Sequence, residues 1–225
     1  LIVTSDKCYQ NLNIKKSFVE TDPLGGDDPY SASKGATEIL FNSYLKSFFI
    51  NKRFGSASVR AGNVLGGADW SHDRIIPDCV KSIISSKKIL IRYPHSTRPW
   101  QHILDVLNGY LMLAMKLYNN KEYSGNWNFG PKYKSNISVI KIVKLFFDYM
   151  KLPCNAKIYS HKNQKKEKIF LNLNSSKANK KLNWNNKYNI KQTLRLTADW
   201  YKDYLINNSN NLIIKKQIYN FYSKK

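Results

Sequence analysis

Apolar residues in the stretch Leu40, Phe41, Tyr44, Leu45, Phe48 and Phe49 recur by threes and fours. That period predicts an amphipathic helix over residues 31–49, with a stripe broad enough to pack on a sheet and to meet a second surface. Asp28 can cap its first turn, and Pro29 suits the first helical position, where a missing N–H costs nothing. Upstream, the short run Leu1-Ile2-Val3 breaks into Thr4-Ser5-Asp6-Lys7. It predicts a buried strand over residues 1–4 that ends in polar groups, the place where parallel α/β sheets carry their sites. Residues 56–60 predict a second strand, turning through Ala61-Gly62-Asn63. Residues 10–29 have no period and form a polar loop, of a length that suits an active-site loop.

The same reasoning predicts a helix over residues 76–85, a strand over 89–91, a strand-like 100–104 and a helix from there to about residue 117. Val139, Ile142, Val143, Phe146 and Phe147 mark a helix over 138–150. Strands over 156–159 and 169–173 follow, then helices over 175–182 and 190–205. An Asn-rich linker over 207–211 leads to an amphipathic end over 213–222. Strands alternating with helices give an α/β class.

Composition adds limits. With 225 residues and 42% hydrophobic positions the chain can build a core. Cys8, Cys79 and Cys154 are widely spaced, which suggests neither a disulfide framework nor a metal site. No apolar run approaches a membrane span and no signal segment is visible, so the expected setting is cytoplasmic. The net charge of +22 invites a nucleic-acid reading. Its distribution argues otherwise: residues 1–119 hold 15 basic and 10 acidic side chains, the remainder 22 and 5. The excess is lysine scattered among asparagine and isoleucine, as in Lys162-Asn163-Gln164-Lys165-Lys166, and reads as solvated surface.

The candidate chemistry lies near the start. Tyr30 and Lys34 are one helical turn apart on one face. An ammonium beside a phenol favours the phenolate, which can act as a base. Taken alone, the pair equally describes an amphipathic surface turn. Guanidinium can meet phosphate oxygens with two parallel hydrogen bonds, yet Arg74 and Arg98, each taken singly, read more readily as surface charges than as ligands. His72 and His102 are expected to orient loops rather than to catalyse.

Several stretches together resemble the extended short-chain dehydrogenase/reductase superfamily, and within it the nucleotide-sugar 4,6-dehydratases. They are Thr4-Ser5-Asp6-Lys7-Cys8-Tyr9, Gly25-Gly26-Asp27-Asp28-Pro29-Tyr30 through Lys34, Arg60-Ala61-Gly62-Asn63-Val64-Leu65-Gly66-Gly67 and Arg98-Pro99-Trp100-Gln101-His102. Trp127-Asn128-Phe129-Gly130-Pro131 and Trp200-Tyr201 also fit. The resemblance implies the C-terminal part of a doubly wound Rossmann-type parallel sheet with a smaller mixed α/β substrate-binding lobe. Residues 1–68 would belong to the dinucleotide-binding domain, 69–206 mainly to the lobe with some segments returning to the large domain, and 207–225 to a linker and terminal amphipathic segment.

The resemblance further implies NAD as cofactor, bound by Tyr30 and Lys34, and CDP-glucose or a related nucleotide sugar as substrate. Tyr30, Lys34 and Ser5 would act in oxidation at C4, Asp6 as the acid that releases the 6-hydroxyl, and Lys7 as the base at C5. Related dTDP-glucose enzymes carry Asp-Glu where this chain has Asp6-Lys7, and a lysine can take a proton only when neutral. Asn63, Arg74 and Arg98 would hold the substrate diphosphate. A homodimer through the helix of Tyr30 and Lys34 is expected. A 4-epimerase of the same superfamily, or a basic non-catalytic binding protein, are the alternatives. Members begin with a strand, a Gly-x-x-Gly-x-x-Gly turn and a helix. No such turn occurs here and the chain opens on Leu1. The expectation is therefore a piece lacking about 100–130 residues, by domain-size reasoning, and inactive by itself.

Overall fold

The structure is a computed structural model that describes residues 1–12, 14–49, 51–131, 136–158, 170–207 and 211–223. In chain order come β1 (Ile2–Val3), a 3-10 turn (Asp6–Cys8), α1 (Pro29–Tyr44) and a π-helical turn (Leu45–Phe49). β2 (Ala57–Ala61), β3 (Val64–Leu65), α2 (Ile75–Ile84), β4 (Ile89–Ile91), β5 (Thr97–Pro99), β6 (Gln101–His102) and α3 (Ile103–Asn119) follow. The chain continues through β7 (Gly125–Phe129), β8 (Asn136–Ser138), α4 (Val139–Met150), β9 (Ala156–Ile158), α5 (Ser176–Leu182), α6 (Ile190–Asn207) and α7 (Asn211–Ser223).

A parallel sheet of order β1-β2-β7 carries the amino-terminal motifs. Ile2 lies opposite Ser58, and Val59 opposite Trp127. Parallel neighbours need a crossover, and α1 supplies it between β1 and β2 while α3 supplies it between β2 and β7. β7 alternates Asn126, Trp127, Asn128 and Phe129. This two-residue period is a strand signal that the search for helical stripes passed over. Trp127 and Phe129 enter a core with Val59, Leu113, Leu117, Leu182 and Trp184. A second core joins α2, α4 and α6 around Phe146, Ile142, Trp200 and Tyr201. Gly67 sits so close to this core that an added Cβ would fall 2.0 Å from Trp200 Cγ, so only glycine fits there.

Most expected elements recur, with shifts at their ends, but the strand expected to be buried over residues 1–4 is the short Ile2–Val3, exposed because it lies at the edge of its sheet. The helix placed at 31–49 begins at Pro29 under the cap of Asp28, whose carboxylate accepts from the Ser31 N–H at 3.0 Å. Its last residues, Leu45–Phe49, leave α-helical geometry. The strand-like 100–104 resolves differently. Trp100 separates β5 from β6, and Ile103 already starts α3 because His102 Nδ1 accepts from the Leu104 N–H. Residue 169 lies outside the described residues, and of 170–173 only Leu173 pairs, in a single bridge to Phe18. The expected linker 207–211 is bounded by α6 and α7, with 208–210 outside the described residues. The same holds for the basic run 162–166 and for residue 159. No helix among the described residues is long and apolar enough to cross a membrane.

Candidate active site

The sequence dictates a junction between the end of β1 and the start of α1. After Val3 the chain passes through Thr4 and Ser5 into the tight turn of Asp6–Cys8, and Ser5 caps it: its Oγ accepts from the Lys7 N–H at 3.2 Å. α1 lands on this turn with small residues. Gly35 faces the Cys8 carbonyl and the Gly25 N–H, so the helix approaches at backbone distance. Gly26 lies tighter still, since a Cβ there would fall 2.3 Å from Ser31 Cβ and 2.6 Å from its carbonyl carbon. The pair Gly25-Gly26 thus lets the loop close over the first turn of α1.

A solvent-open cleft with ≈ 370 Å³ of empty space lies at this junction. Asp6, Lys7, Tyr9, Asn11, Gly26, Asp27, Asp28, Ser31 and Leu171 line it. Asp6 is 4% exposed. One carboxyl oxygen accepts from Ser5 Oγ at 3.0 Å, and the other, Oδ2, is buried with no hydrogen-bond partner. Burial raises its pKa from 3.8 to about 6, against the opposing influence of the Ser5 hydroxyl and the charges of Lys7 and Arg98. A carboxyl so placed can hold a proton close to neutrality and give it up. At the cleft rim, the Ser31 hydroxyl and N–H hold the Asp28 carboxyl below the usual range.

Tyr30 and Lys34 stand on the first turns of α1. Tyr30 is 54% exposed, and the Lys34 ammonium lies 5.5 Å from its ring centroid. The two side chains are together, as their spacing requires, on the open side of the helix rather than in the wall of the cleft beside Asp6 and Lys7. Asn63 lies half-buried between β2 and β3, where its carbonyl accepts from the Gln101 N–H at 3.0 Å. The neighbouring Gly62 abuts Pro99. Arg98 is buried, donates to the Thr97 carbonyl at 2.7 Å and is near enough to Asp6 to act on its charge. Arg74, by contrast, is exposed at the start of α2 and pairs with Asp69 at 3.1 Å. Asp6, Lys7 and Arg98 therefore share one neighbourhood, while Arg74 has no described contact with it.

The sequence reading overlooked a buried polar set behind the cleft. Glu38, on the buried face of α1, pairs with Arg60 of β2 at 2.6 Å. Thr4, Ser58 and Asn126 also donate to Glu38. Arg60 Nη1 donates to the Tyr9 hydroxyl at 2.7 Å, and that hydroxyl donates to Asn128 Oδ1 at 2.7 Å. Glu38 was visible as the one carboxylate on the face of Ser31, Gly35 and Phe41, a position where a carboxylate needs a partner. Tyr110 of α3 is a further missed neighbour. Burial raises its phenol, and the Asp6 charge adds to that effect. Among the described residues no cluster of His, Cys, Asp and Glu could hold a metal ion.

The family described as GDP-mannose 4,6 dehydratase matches residues 1–197. The chain belongs to this family. Among the relatives, the CDP-glucose 4,6-dehydratase of Salmonella typhimurium is 37% identical over 98% of the chain and 63% of its own length. The dTDP-D-glucose 4,6-dehydratase of Homo sapiens is 25% identical over 90% of the chain and 55% of its own. The chain thus spans less than two thirds of the length of these family members. Among solved structures, dTDP-glucose 4,6-dehydratase from Bacillus anthracis in complex with NAD superposes with a TM-score of 0.74 at 20% identity, over 89% of the chain and 60% of that structure. UDP-glucuronic acid 4-epimerase from Bacillus cereus, in complex with UDP-glucuronic acid and NAD, also gives 0.74, at 19% identity over 89% and 60%. The fold is the Rossmann-type α/β fold of these two solved enzymes.

Proposed function

We propose that this chain supplies the acid-base and sugar-binding part of an NAD-dependent CDP-glucose 4,6-dehydratase, a lyase that yields CDP-4-keto-6-deoxyglucose. Asp6 carries the reading: a carboxyl pushed up to about 6, inside a cleft and beside Lys7, is poised to protonate a departing hydroxyl. An epimerase has no such group to lose and no need of that acid. The 37% identity with the Salmonella typhimurium enzyme supports the cytidine nucleotide.

When bound, NAD accepts hydride from the sugar C4 and returns it to C6, so water is the net loss. In this reading Tyr30 removes the proton of the 4-hydroxyl while Ser5 hydrogen-bonds the same oxygen. Lys34 holds the ribose hydroxyls. The 4-ketone acidifies the C5 proton, which Lys7 takes while Asp6 protonates the leaving 6-hydroxyl, and Lys7 gives its proton back to C5 as hydride reaches C6. Asn63, Arg98 and Arg74 hold the diphosphate. For Arg98 and Arg74 this requires, respectively, a turn of a buried guanidinium toward the cleft and release of Asp69.

The residues present fit only part of the dinucleotide. Tyr30, open to solvent, and the adjacent half-buried Lys34 suit a ribose, but these 225 residues contain no glycine-rich turn for its pyrophosphate. We propose that a separate dinucleotide-binding portion pairs with the edge strand β1. Its residues Ile2 and Val3, with Leu1 before them, are exposed although apolar. We also propose self-association through the outer face of α1 and the π-helical turn after it, where Ile39, Leu40, Tyr44 and Phe48 are exposed. Residues 1–68, with returning segments, then serve the cofactor side, and 69–206 mainly the sugar side.

The test is incubation with CDP-glucose and NAD of this chain combined with such a portion. Formation of a 4-keto-6-deoxy product is expected. A C4 epimer, or unchanged CDP-glucose alongside salt-sensitive binding to nucleic acid, would refute the reading. The chain alone is expected to bind NAD more weakly than micromolar.

A further inference from the structure

Glu38 lies four residues beyond Lys34 and eight beyond Tyr30. Each four-residue step on a helix advances along the axis and turns about 40°, so a row that begins at the open Tyr30 enters the protein by Glu38. There its carboxylate is fully buried. Oε1 accepts from the hydroxyl of Thr4, the residue immediately before Ser5. Oε2 accepts from Arg60 Nη2 at 2.6 Å, Ser58 Oγ at 2.7 Å and Asn126 Nδ2 at 2.9 Å. The far side of Arg60 holds Tyr9, just past Asp6 and Lys7, and the Glu20 carbonyl of the covering loop. Every element that bears a candidate reacting group therefore ends on this one ion pair.

An apolar contact would stabilise the same interface comparably, because a buried ion pair gains little net stability over well-packed hydrocarbon. What directional, charge-assisted bonds add is a fixed register. Hydrocarbon lets a helix slide along a strand by a fraction of an ångström, whereas a carboxylate whose two oxygens are both engaged does not. The backbone bond from Thr4 N–H to the Val59 carbonyl, at 2.9 Å, ties the same residue to β2.

We propose that Glu38, held by Arg60, is a positioning residue that locks the Ser5–Asp6–Lys7 turn in register with Tyr30 and Lys34 through the Thr4 hydroxyl. The role rests on the dehydratase reading, but its structural consequence does not. The informative variant is Thr4→Val, which keeps shape and leaves Glu38 with Arg60, Ser58 and Asn126. Thr4→Ser restores the hydroxyl, and Glu38→Gln removes the charge.

In the isolated chain, Thr4→Val is expected to speed amide hydrogen exchange at residues 5–9 and 29–34 by about tenfold or more, with exchange in α4 and α6 unchanged and Thr4→Ser like the parent. In the chain combined with a dinucleotide-binding portion, kcat for CDP-glucose is expected to fall about 10- to 100-fold in Thr4→Val and Glu38→Gln, as ångström-scale misplacement does. KM should stay within about twofold, and the isotope effect from deuterium at C4 should rise. Exchange that is unchanged, or that rises uniformly over the whole chain, overturns the proposal, as does kcat within twofold of the parent in both variants. A parent assembly that makes no 4-keto product overturns the dehydratase reading instead, and the exchange result then decides the register lock by itself.

Discussion

Replacing Asp6 by asparagine should alter the pH dependence of stability in a direction opposite to the usual carboxylate. Asp6 has a folded pKa near 6 against an ordinary 3.8, because burial disfavours its charge. The native state therefore retains the Asp6 proton over a range in which the unfolded chain has released it. The stabilisation linked to that proton is fully present below about pH 4 and is lost as pH rises through about 6. A difference of 2.2 between the two values corresponds to about 3 kcal/mol. The amide in Asp6→Asn cannot ionise, so the variant lacks this penalty at high pH. It also brings a buried N–H2 to the site where Oδ2 has no partner, at a pH-independent cost of about 1–3 kcal/mol. The absolute stability of Asp6→Asn at a single pH therefore decides nothing, whereas its difference from the parent should move by about 2–3 kcal/mol in favour of the variant between pH 4 and 8. Thermal melts of the isolated chain across that range would show it as a relative Tm change of roughly 4–12 °C. A difference flat to within about 0.5 kcal/mol would mean that Asp6 ionises as freely as an exposed aspartate. The protonated carboxyl required for loss of the 6-hydroxyl would then have no basis.

Glu38→Gln should destabilise by about 3–5 kcal/mol, because it leaves the buried Arg60 charge without its carboxylate. Burial works against the Glu38 charge, but Arg60 and the hydroxyls of Thr4 and Ser58 outweigh it and hold the pKa below 4.5. The parent's advantage should therefore be present above about pH 5 and shrink as pH falls below that value, and an advantage that grew on acidification would refute it. Gly26→Ala should cost about 1–3 kcal/mol through overpacking against the Ser31 backbone. An unchanged melting temperature would show that the loop does not close on α1. Arg74→Ala should change stability by less than about 1 kcal/mol, since its partner Asp69 is a surface contact. The same change should weaken CDP binding in the assembled enzyme by calorimetry, and unaltered affinity would remove Arg74 from the diphosphate site. Lys7→Ala should abolish water loss while still allowing oxidation at C4, so elimination at the parent rate would exclude Lys7 as the C5 base.

The legible part of this chain was what local rules determine. The entry to α1 followed from Asp28 and Pro29, whose capping chemistry operates within three residues. Strand β4 was found at Ile89–Ile91 because an apolar run between polar turns has few other readings. The shared face of Tyr30 and Lys34 followed from helical geometry alone. What lay beyond reach was long-range. Trp100 falls between two strands because β5 pairs antiparallel with β8 while β6 pairs parallel with β3, partners set by tertiary contacts rather than by Trp100. Arg98 reads as a phosphate ligand in sequence, yet its guanidinium is buried near Asp6, since only the fold determines which carboxyl a guanidinium finds.

Glu38 shows why the boundary falls there. Nothing within ten residues of it explains a charge on a buried helix face, and its partners Thr4, Ser58, Arg60 and Asn126 are distant in sequence. A buried ion that local structure cannot satisfy must be satisfied by the fold, so its presence in an apolar stripe is itself a tertiary signal. The same logic separates the two halves of the proposed chemistry. Asp6 depends on burial where its turn packs on α1, with the charge of Arg98 nearby, and its raised pKa is a property of this chain's own residues. Tyr30, open to solvent, depends on what covers it. The acid at Asp6 should therefore be measurable in the isolated chain even where turnover is not.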